Sequence, residues 1–357
     1  MNACKRFRST VLASTILAAF AATACTVQSD DDTAANGRVD NVVVVGTSVT
    51  SALYVSGELG LTTVPTDAQG EAVLDNKLKI AIRITSPAEV ASEVGQTECT
   101  VPDQNKKSIS VGVILDDSGS MSGSDPDKLR KKATVSFLDT LGAEDKVLLT
   151  DYGTTGNNLR DLLCANNAVP GESCSPPKPV FTADKAALVK ATEKITDSGG
   201  TPLYESCVQM IPLVDSVKDA RRGVLLLSDG SPNSKVQRDA CHNAAKVAQI
   251  PVFTVGLGPA AEGAKTVSQD AVKVLRELAS ETGGSYASAN DPAQLDNLFR
   301  NMGTALARGS CKTTARITDA ATKIQPGTKV TGEVTIGTNG AKGTFEFVAP
   351  EKALPTK

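Results

Sequence analysis

The sequence predicts an α/β fold: a doubly wound, mostly parallel sheet, flanked before and after in sequence by β-rich segments. Three observations carry this. Between residues 106 and 308, short apolar runs alternate with stretches of helical periodicity, the pattern of crossover units on a parallel sheet. On either side the pattern changes to β-branched runs broken by Gly, Asn and Asp turns. The length, 357 residues, suits about two domains. The chain therefore divides into a signal (1–24), a tether (25–38), a β-rich segment (39–98), the α/β block (99–311), a second β-rich segment (312–350) and a tail (351–357).

Taken in chain order, the first element is an export signal. Lys5, Arg6 and Arg8 form a positive start, Val11 to Ala22 is apolar, and Ala22-Thr23-Ala24 places small residues directly before Cys25. The apolar run falls short of the ~20 residues a spanning helix needs, so 1–24 reads as a cleaved signal peptide. The cysteine resembles a bacterial lipobox, which implies diacylation of Cys25 and a membrane anchor. Ala22 stands where Leu is usual, and plain secretion after the Ala-x-Ala sequence is the alternative. The lipoprotein resemblance implies an outer-membrane or cell-surface location, because Thr26 stands where inner-membrane retention uses Asp; secreted or periplasmic is the alternative. Residues 25–38, with Asp30, Asp31 and Asp32, read as a solvated tether.

Residues 39–98 predict strands at Val42–Val45, Ser51–Val55 and Leu78–Thr85. Residues 312–350 predict strands at Lys329–Ile336 and Thr344–Val348 around an Asn339-Gly340 turn. These flanks are expected to form one discontinuous β-sandwich into which the block is inserted, or else two separate small units. Inside the block, strands are expected at Ser108–Leu115, Lys146–Thr150, Gly223–Leu227, Pro251–Val255 and Ser285–Ala287. Helices are expected at Asp127–Leu141, Ala183–Ile195, Leu203–Val217, Lys235–Gln249, Ser268–Glu281 and Pro292–Leu306.

Composition narrows the function. Lys and Arg number 37 against 40 Asp and Glu, and loss of the signal takes the formal charge from −3 to −6. That argues against a nucleic-acid binder, which needs a basic face to displace counterions. With no Trp, 4 Tyr and 8 Phe, stacking on bases or sugars is not a theme. His242 is the one histidine, which leaves a Ser–His–Asp apparatus a single possible base. Of the eight cysteines, Cys4 leaves with the signal and Cys25 is assigned to lipid. Six in an oxidising compartment suggest three disulfides among 15 pairings. Spacing favours Cys164–Cys174 within one loop; Cys99 and Cys311 would clamp the ends of the block; Cys207–Cys241 is then left. No Cys-x-x-Cys pair supports a thiolate metal site.

Ligands of open α/β sheets sit outside the carboxyl ends of the strands. There the sequence places Asp116-Asp117-Ser118-Gly119-Ser120 after the first strand of the block and Ser228-Asp229-Gly230-Ser231 after Gly223–Leu227; Ser198-Gly199-Gly200-Thr201-Pro202 precedes the helix at Leu203. Asp116-x-Ser118-x-Ser120, the Thr of Gly-Gly-Thr201-Pro-Leu and the Asp of Leu-Ser-Asp229-Gly together resemble the metal-ion-dependent adhesion site of von Willebrand factor type A domains. Ile-Pro-Val-Phe-Thr-Val-Gly-Leu-Gly from Ile250 and Leu-Ala-Ser-Glu-Thr-Gly-Gly-Ser-Tyr from Leu278 are similar to the family's later strands. The resemblance covers roughly 106–308 and implies a Rossmann-like sheet of order 3-2-1-4-5-6. It implies a metal held by Asp116, Ser118, Ser120, Thr201 and Asp229, the hydroxyls touching it and the aspartates acting largely through water. Two carboxylates on adjacent strands repel unless a cation lies between them, and an all-oxygen set suits Mg²⁺, with Mn²⁺ or Ca²⁺ as substitutes. A position left open on the cation would take an Asp or Glu of a partner protein. The expected function is divalent-cation-dependent protein binding, in adhesion or envelope scaffolding, and not enzymatic. The alternatives are a metal-assisted hydrolase, which lacks a well-placed base, and a structural domain without metal.

Each loop has a plainer explanation, since Ser, Gly and Asp after a strand are ordinary turn and cap residues; only the joint pattern is specific. Asp117 reads as an acidic neighbour, Asp125 and Asp127 as the start of the next helix, Asp151 as the end of a neighbouring strand or else a solvated turn residue, and His242 as structural. Gly256-Leu257-Gly258 lacks the third glycine of a dinucleotide fingerprint. Asn157–Pro179 reads as an irregular surface loop.

Overall fold

The computed structural model describes residues 38–350 apart from 102–105, 107, 154–155, 231, 263–266 and 290–291. The signal peptide, Cys25, the tether up to residue 37 and the tail 351–357 lie outside the described residues. Among the described residues no helix is long and apolar enough to cross a membrane.

Two sheets organise the chain. The first strands, β1 (Asn41–Ser48), β2 (Glu58–Thr66), β3 (Ile80–Ser86) and β4 (Val90–Thr100), come before the block; β11 (Ser310–Ile317), β12 (Lys329–Ile336) and β13 (Ala341–Val348) come after it. They join in one seven-stranded sheet of order β1-β2-β11-β4-β3-β12-β13, antiparallel throughout. Its end strands approach each other: a Cβ added to Gly343 would lie 3.0 Å from the Val42 carbonyl. The sheet thus curls nearly into a barrel around Leu59, Ile84, Ile336 and Phe347. This corrects the expected β-sandwich. Strand twist accumulated over seven strands brings the edges round, and no second sheet is needed to cover the apolar face.

The block holds β5 (Ile109–Asp116), β6 (Lys146–Gly153), β7 (Gly156–Asp161), β8 (Arg221–Ser228), β9 (Val252–Leu257) and β10 (Tyr286–Ala289). Their order is β10-β9-β8-β5-β6-β7, parallel except for the β6–β7 pair. Parallel strands covered on both faces must be apolar nearly throughout, and all eight residues of β5 are buried. After the short α1 (Met121–Ser124), helices α2 (Leu129–Asp139), α3 (Lys185–Ala191) and α7 (Pro292–Arg308) contribute to the core on one face, where Phe137 meets Phe299 edge-on at 6.5 Å. Helices α4 (Leu203–Asp215), α5 (Arg238–Ala248) and α6 (Gln269–Thr282) cover the other. The last helix, α8 (Ala320–Lys323), is a single turn beside the curled sheet. The doubly wound description therefore holds for the six-stranded sheet and not for the seven-stranded one.

The open edge of β10 is covered by β1. At Gly46 a side chain would place Cβ 2.5 Å from the Tyr286 carbonyl, and Asn301 of α7 donates to the Val44 carbonyl at 3.1 Å. Covering an edge this way removes a template for unwanted strand pairing. Three disulfides are formed, Cys99–Cys311, Cys164–Cys174 and Cys207–Cys241; the first joins directly opposed residues of β4 and β11.

Local differences have local causes. Ser51–Tyr54 is a 3₁₀ turn and not a strand, because the Thr50 hydroxyl accepts from the Ala52 amide at 3.2 Å and caps it. Part of the supposed irregular loop is β7, which pairs with β6 despite its two asparagines.

Candidate metal centre

Strands β5 and β8 are neighbours, Leu115 opposite Leu227, so Asp116 and Asp229 emerge side by side at the carboxyl edge. Asp116 is fully buried and its carboxylate is crowded with donors. Oδ1 accepts from the Ser118 amide at 2.8 Å. Oδ2 accepts from the Ser228 hydroxyl at 2.7 Å, the Tyr152 hydroxyl at 3.0 Å and the Asp229 amide at 3.3 Å. A carboxylate offers about four lone-pair sites, so Asp116 has little left for a further ligand and contributes fixed negative charge. Tyr152 stands opposite Asp116 in the β5–β6 register, and burial together with that carboxylate drives its phenol well above its usual range.

Asp229 is also buried, 1% exposed, but differently served. Its Oδ1 accepts from the Ser120 hydroxyl at 2.9 Å, and the Ser120 and Ser118 hydroxyls are 3.0 Å apart. Its Oδ2 is buried without a hydrogen-bond partner. Burial, and next the nearby Asp116 charge, push its carboxyl above the ordinary range, while the Ser124 and Ser120 hydroxyls and Arg130 pull it back.

Thr201 is brought in by backbone bonds. The Gly119 amide donates to the Gly199 carbonyl at 3.1 Å, the Ser198 amide to the Asp117 carbonyl at 2.7 Å, and the Asn233 amide to the Thr201 carbonyl at 2.9 Å. The loops after β5 and β8 and the one before α4 are thereby tied together. Asp116, Ser118, Ser120 and Asp229 form one bonded cluster, and the Thr201 loop is bonded to both of its neighbours. Ser118 and Thr201 are buried and Ser120 is exposed, so the cup opens to solvent beside Ser120.

The donor set fits a hard divalent cation. It offers two carboxylates, three hydroxyl residues and one buried carboxylate oxygen left unsatisfied, and a buried acceptor in that state is costly unless something binds it. Among the described residues no three His, Cys, Asp or Glu side chains gather into a metal cluster.

Four residues that the sequence reading did not assign to the site belong to its surroundings. Tyr152 and Ser228 hold Asp116. Arg130 and Arg160 lie beneath, ion-paired to Asp117, Asp125, Asp151 and Asp197. Of the two readings of Asp151 the strand end holds: it lies near the end of β6, beside β5, and is buried, and burial, only partly offset by Arg160, pushes its carboxyl up to about 6. Asp125 accepts from the Leu129 and Arg130 amides, at 2.6 and 3.1 Å, at the head of α2. His242 sits on α5 with Nδ1 3.0 Å from Glu281 Oε2 of α6.

No protein-family model matches the sequence, and no curated protein matches it. Several solved structures do. The chain is similar to a von Willebrand factor type A protein from Catenulispora acidiphila, with 14% identity and a TM-score of 0.45 over 88% of this chain and 75% of that one. It is similar to proximal thread matrix protein 1 of the mussel byssus, solved with a zinc-occupied MIDAS motif, with 14% identity and a TM-score of 0.41 over 61% of this chain and 50% of that one. This chain thus spans about half of the mussel protein's length. The von Willebrand factor domain of a type V pilus tip protein from Porphyromonas gingivalis is similar at 14% identity and a TM-score of 0.40, over 56% of this chain and 95% of that one. Likeness at this level is one of fold outline alone, and the site is read from its own residues. Counted from β5, the six-stranded sheet has the order 3-2-1-4-5-6 with the third strand antiparallel, and with three oxygen-rich loops at its carboxyl edge the block resembles a von Willebrand factor type A domain.

Proposed function

We propose that the protein binds a partner protein through a divalent cation held at the carboxyl edge of the six-stranded sheet. Asp116, Ser118, Ser120, Thr201 and Asp229 would hold the ion, Mg²⁺ by the hardness of the donors, with Mn²⁺ or Ca²⁺ as substitutes. The observation that carries the reading is Asp229 Oδ2, buried without a hydrogen-bond partner beside the Ser118–Ser120 pair. When bound, the cation supplies a Lewis-acid position that attracts an anionic oxygen. Two carboxylates only balance its charge, so an Asp or Glu of the partner completes the set. The chain's own part is to fix charge at Asp116, orient the hydroxyls and leave the Ser120 side open.

The reading is one of binding, in adhesion or in scaffolding of an envelope assembly, and it needs no turnover step. It includes export to a bacterial cell envelope, as an outer-membrane or surface lipoprotein anchored at Cys25, with 99–311 as the binding domain. Support for export comes from the apolar N-terminal run and from three disulfides, which persist in oxidising compartments.

Calorimetric titration of Mg²⁺ into the protein and into Asp229→Ala tests the metal step. Saturable heat that the variant lacks is expected, and equal heats from both would sink the proposal. A pull-down from envelope extract with Mg²⁺, repeated with EDTA and with Asp116→Ala, tests the partner step: capture should depend on the ion and on Asp116.

A further inference from the structure

Beneath the cup lies a buried charge network. Arg130 is 0% exposed. Its Nη1 donates to Asp125 Oδ2 at 2.9 Å; its Nη2 donates to the Thr196 carbonyl at 2.8 Å and to Asp197, and lies 3.6 Å from Asp117 Oδ1. Arg160, also buried, pairs with both oxygens of Asp151, donates to the Lys194 carbonyl at 3.0 Å and reaches Asp117 Oδ2 at 3.4 Å. Asp117, between Asp116 and Ser118 in sequence, also accepts from the Thr196 hydroxyl at 2.9 Å.

Asp117, Asp125, Asp151 and Asp197 call for compensating positive charge here, but charge balance alone does not call for planar forks. A positive charge near a cation site repels the cation. A buried ion pair is often no more stabilising than apolar residues of the same volume. What the two forks do is geometric. Arg130 grips Thr196 and Asp197 with one nitrogen and Asp125 with the other, and Arg160 grips Lys194 while touching Asp117. The gripped segment 194–197 runs directly into Gly199-Gly200-Thr201, and Asp117 and Asp125 belong to the stretch that carries Ser118 and Ser120.

We propose that Arg130 and Arg160 are positioning residues, which lock the Thr201 loop against the Asp116–Ser120 loop and so set the spacing of the cation's oxygens before the ion arrives. The proposal rests on the metal reading above. It assigns these arginines a role through geometry that opposes their effect through charge, and the two are separable. Lysine keeps the charge but has no planar fork to span Asp125, Thr196 and Asp197 at once. Methionine removes the charge, which by electrostatics alone tightens cation binding.

The test is Mg²⁺ titration of wild type, Arg130→Lys, Arg130→Met and Thr196→Val, with the melting temperature of each metal-free protein. Positioning predicts a dissociation constant about tenfold weaker for Arg130→Lys, and weaker still for Arg130→Met despite the lost repulsion. Thr196→Val removes one hydroxyl bond to Asp117 without touching any charge, and serves if Arg130→Met does not fold. It should bind about tenfold more weakly, while its metal-free form, one buried hydrogen bond short, still folds with a somewhat lower melting temperature. Unchanged or tighter binding in folded Arg130→Lys and Thr196→Val, beside normal wild-type binding, overturns the positioning role alone. Absence of Mg²⁺ heat from wild type overturns the metal reading and this role with it.

Discussion

Asp229→Asn keeps the shape of the side chain and removes one of the two adjacent carboxylates of the cup, and its effects on the metal-free and Mg²⁺-loaded protein should have opposite signs. A ligand at a hundred times its dissociation constant stabilises the folded state by about 2.7 kcal/mol. Unfolding entropy near 2.1 cal/mol/K per residue gives about 0.63 kcal/mol/K for about 300 residues, so Mg²⁺ should raise the melting temperature of wild type by about 4 °C. If the block melts alone, at about 200 residues, the rise is about 6 °C. The variant should lose this rise. Without metal it should melt no lower than wild type, because burial and the Asp116 charge already disfavour the ionised Asp229. Differential scanning calorimetry at neutral pH, with EDTA or with Mg²⁺, reads both quantities. A variant that keeps the full Mg²⁺ rise, or whose metal-free form melts several degrees below wild type, would refute the reasoning.

Acidity should act on the metal-free protein in the same direction. Asp151 is raised from 3.8 to about 6 by burial, so the folded state holds its proton more tightly than the unfolded chain. Its contribution falls as pH rises from about 4 to about 6, by at most about 3 kcal/mol; urea titrations should show this slope flattened in Asp151→Asn. Replacing Cys99 and Cys311 together by Ala opens a loop of 212 residues, which on chain entropy costs about 5 kcal/mol, read as a lower urea midpoint by far-UV circular dichroism. Gly284→Ala would put a Cβ 2.0 Å from the Val252 carbonyl, a backbone clash that no rotamer relieves. It should cost about 3 kcal/mol or more, whereas Gly123→Ala, with nothing within 4 Å, should fold as wild type.

What could be read in advance follows from where each signal lives. β5, β8 and β9 announce themselves because burial on both faces forces near-continuous apolar runs. β12 shows because one buried face alternates with an outer one along its whole length. β4 was illegible: it runs Val-Ala-Ser-Glu-Val-Gly-Gln-Thr-Glu-Cys-Thr with one buried residue, and its pairing with β11 is made by partners more than 200 positions away in sequence. β2 carries Gly60 and Pro65, both turn signals taken alone. At the site, the hydroxyls and aspartates were legible because they sit at strand ends in a recognisable order. Tyr152 could have been found from the same strand order, since it ends the strand beside β5. Arg130 and Arg160 could not, because a lone Arg on an amphipathic helix or in a supposed loop reads as solvated, and only the folded chain shows both enclosed by carboxylates.

The way the block is inserted also bears on what it can do. It leaves the curled sheet after Cys99 and returns at Cys311, whose Cα atoms are 3.9 Å apart. Both crossings lie near the starting ends of the parallel strands, because β5 begins at Ile109 and α7 ends at Arg308. The oxygen-bearing loops lie at the finishing ends, and eight residues of extended chain separate the two edges of β5, a distance of about 23 Å. The two chain crossings are thus at one pole and the cup at the other, with β1 packed along the β10 edge of the block. A disulfide at the crossing restrains the block where it joins the sheet, and β13 reaches the loop after β9, where the Val348 amide donates to Glu262 at 2.8 Å.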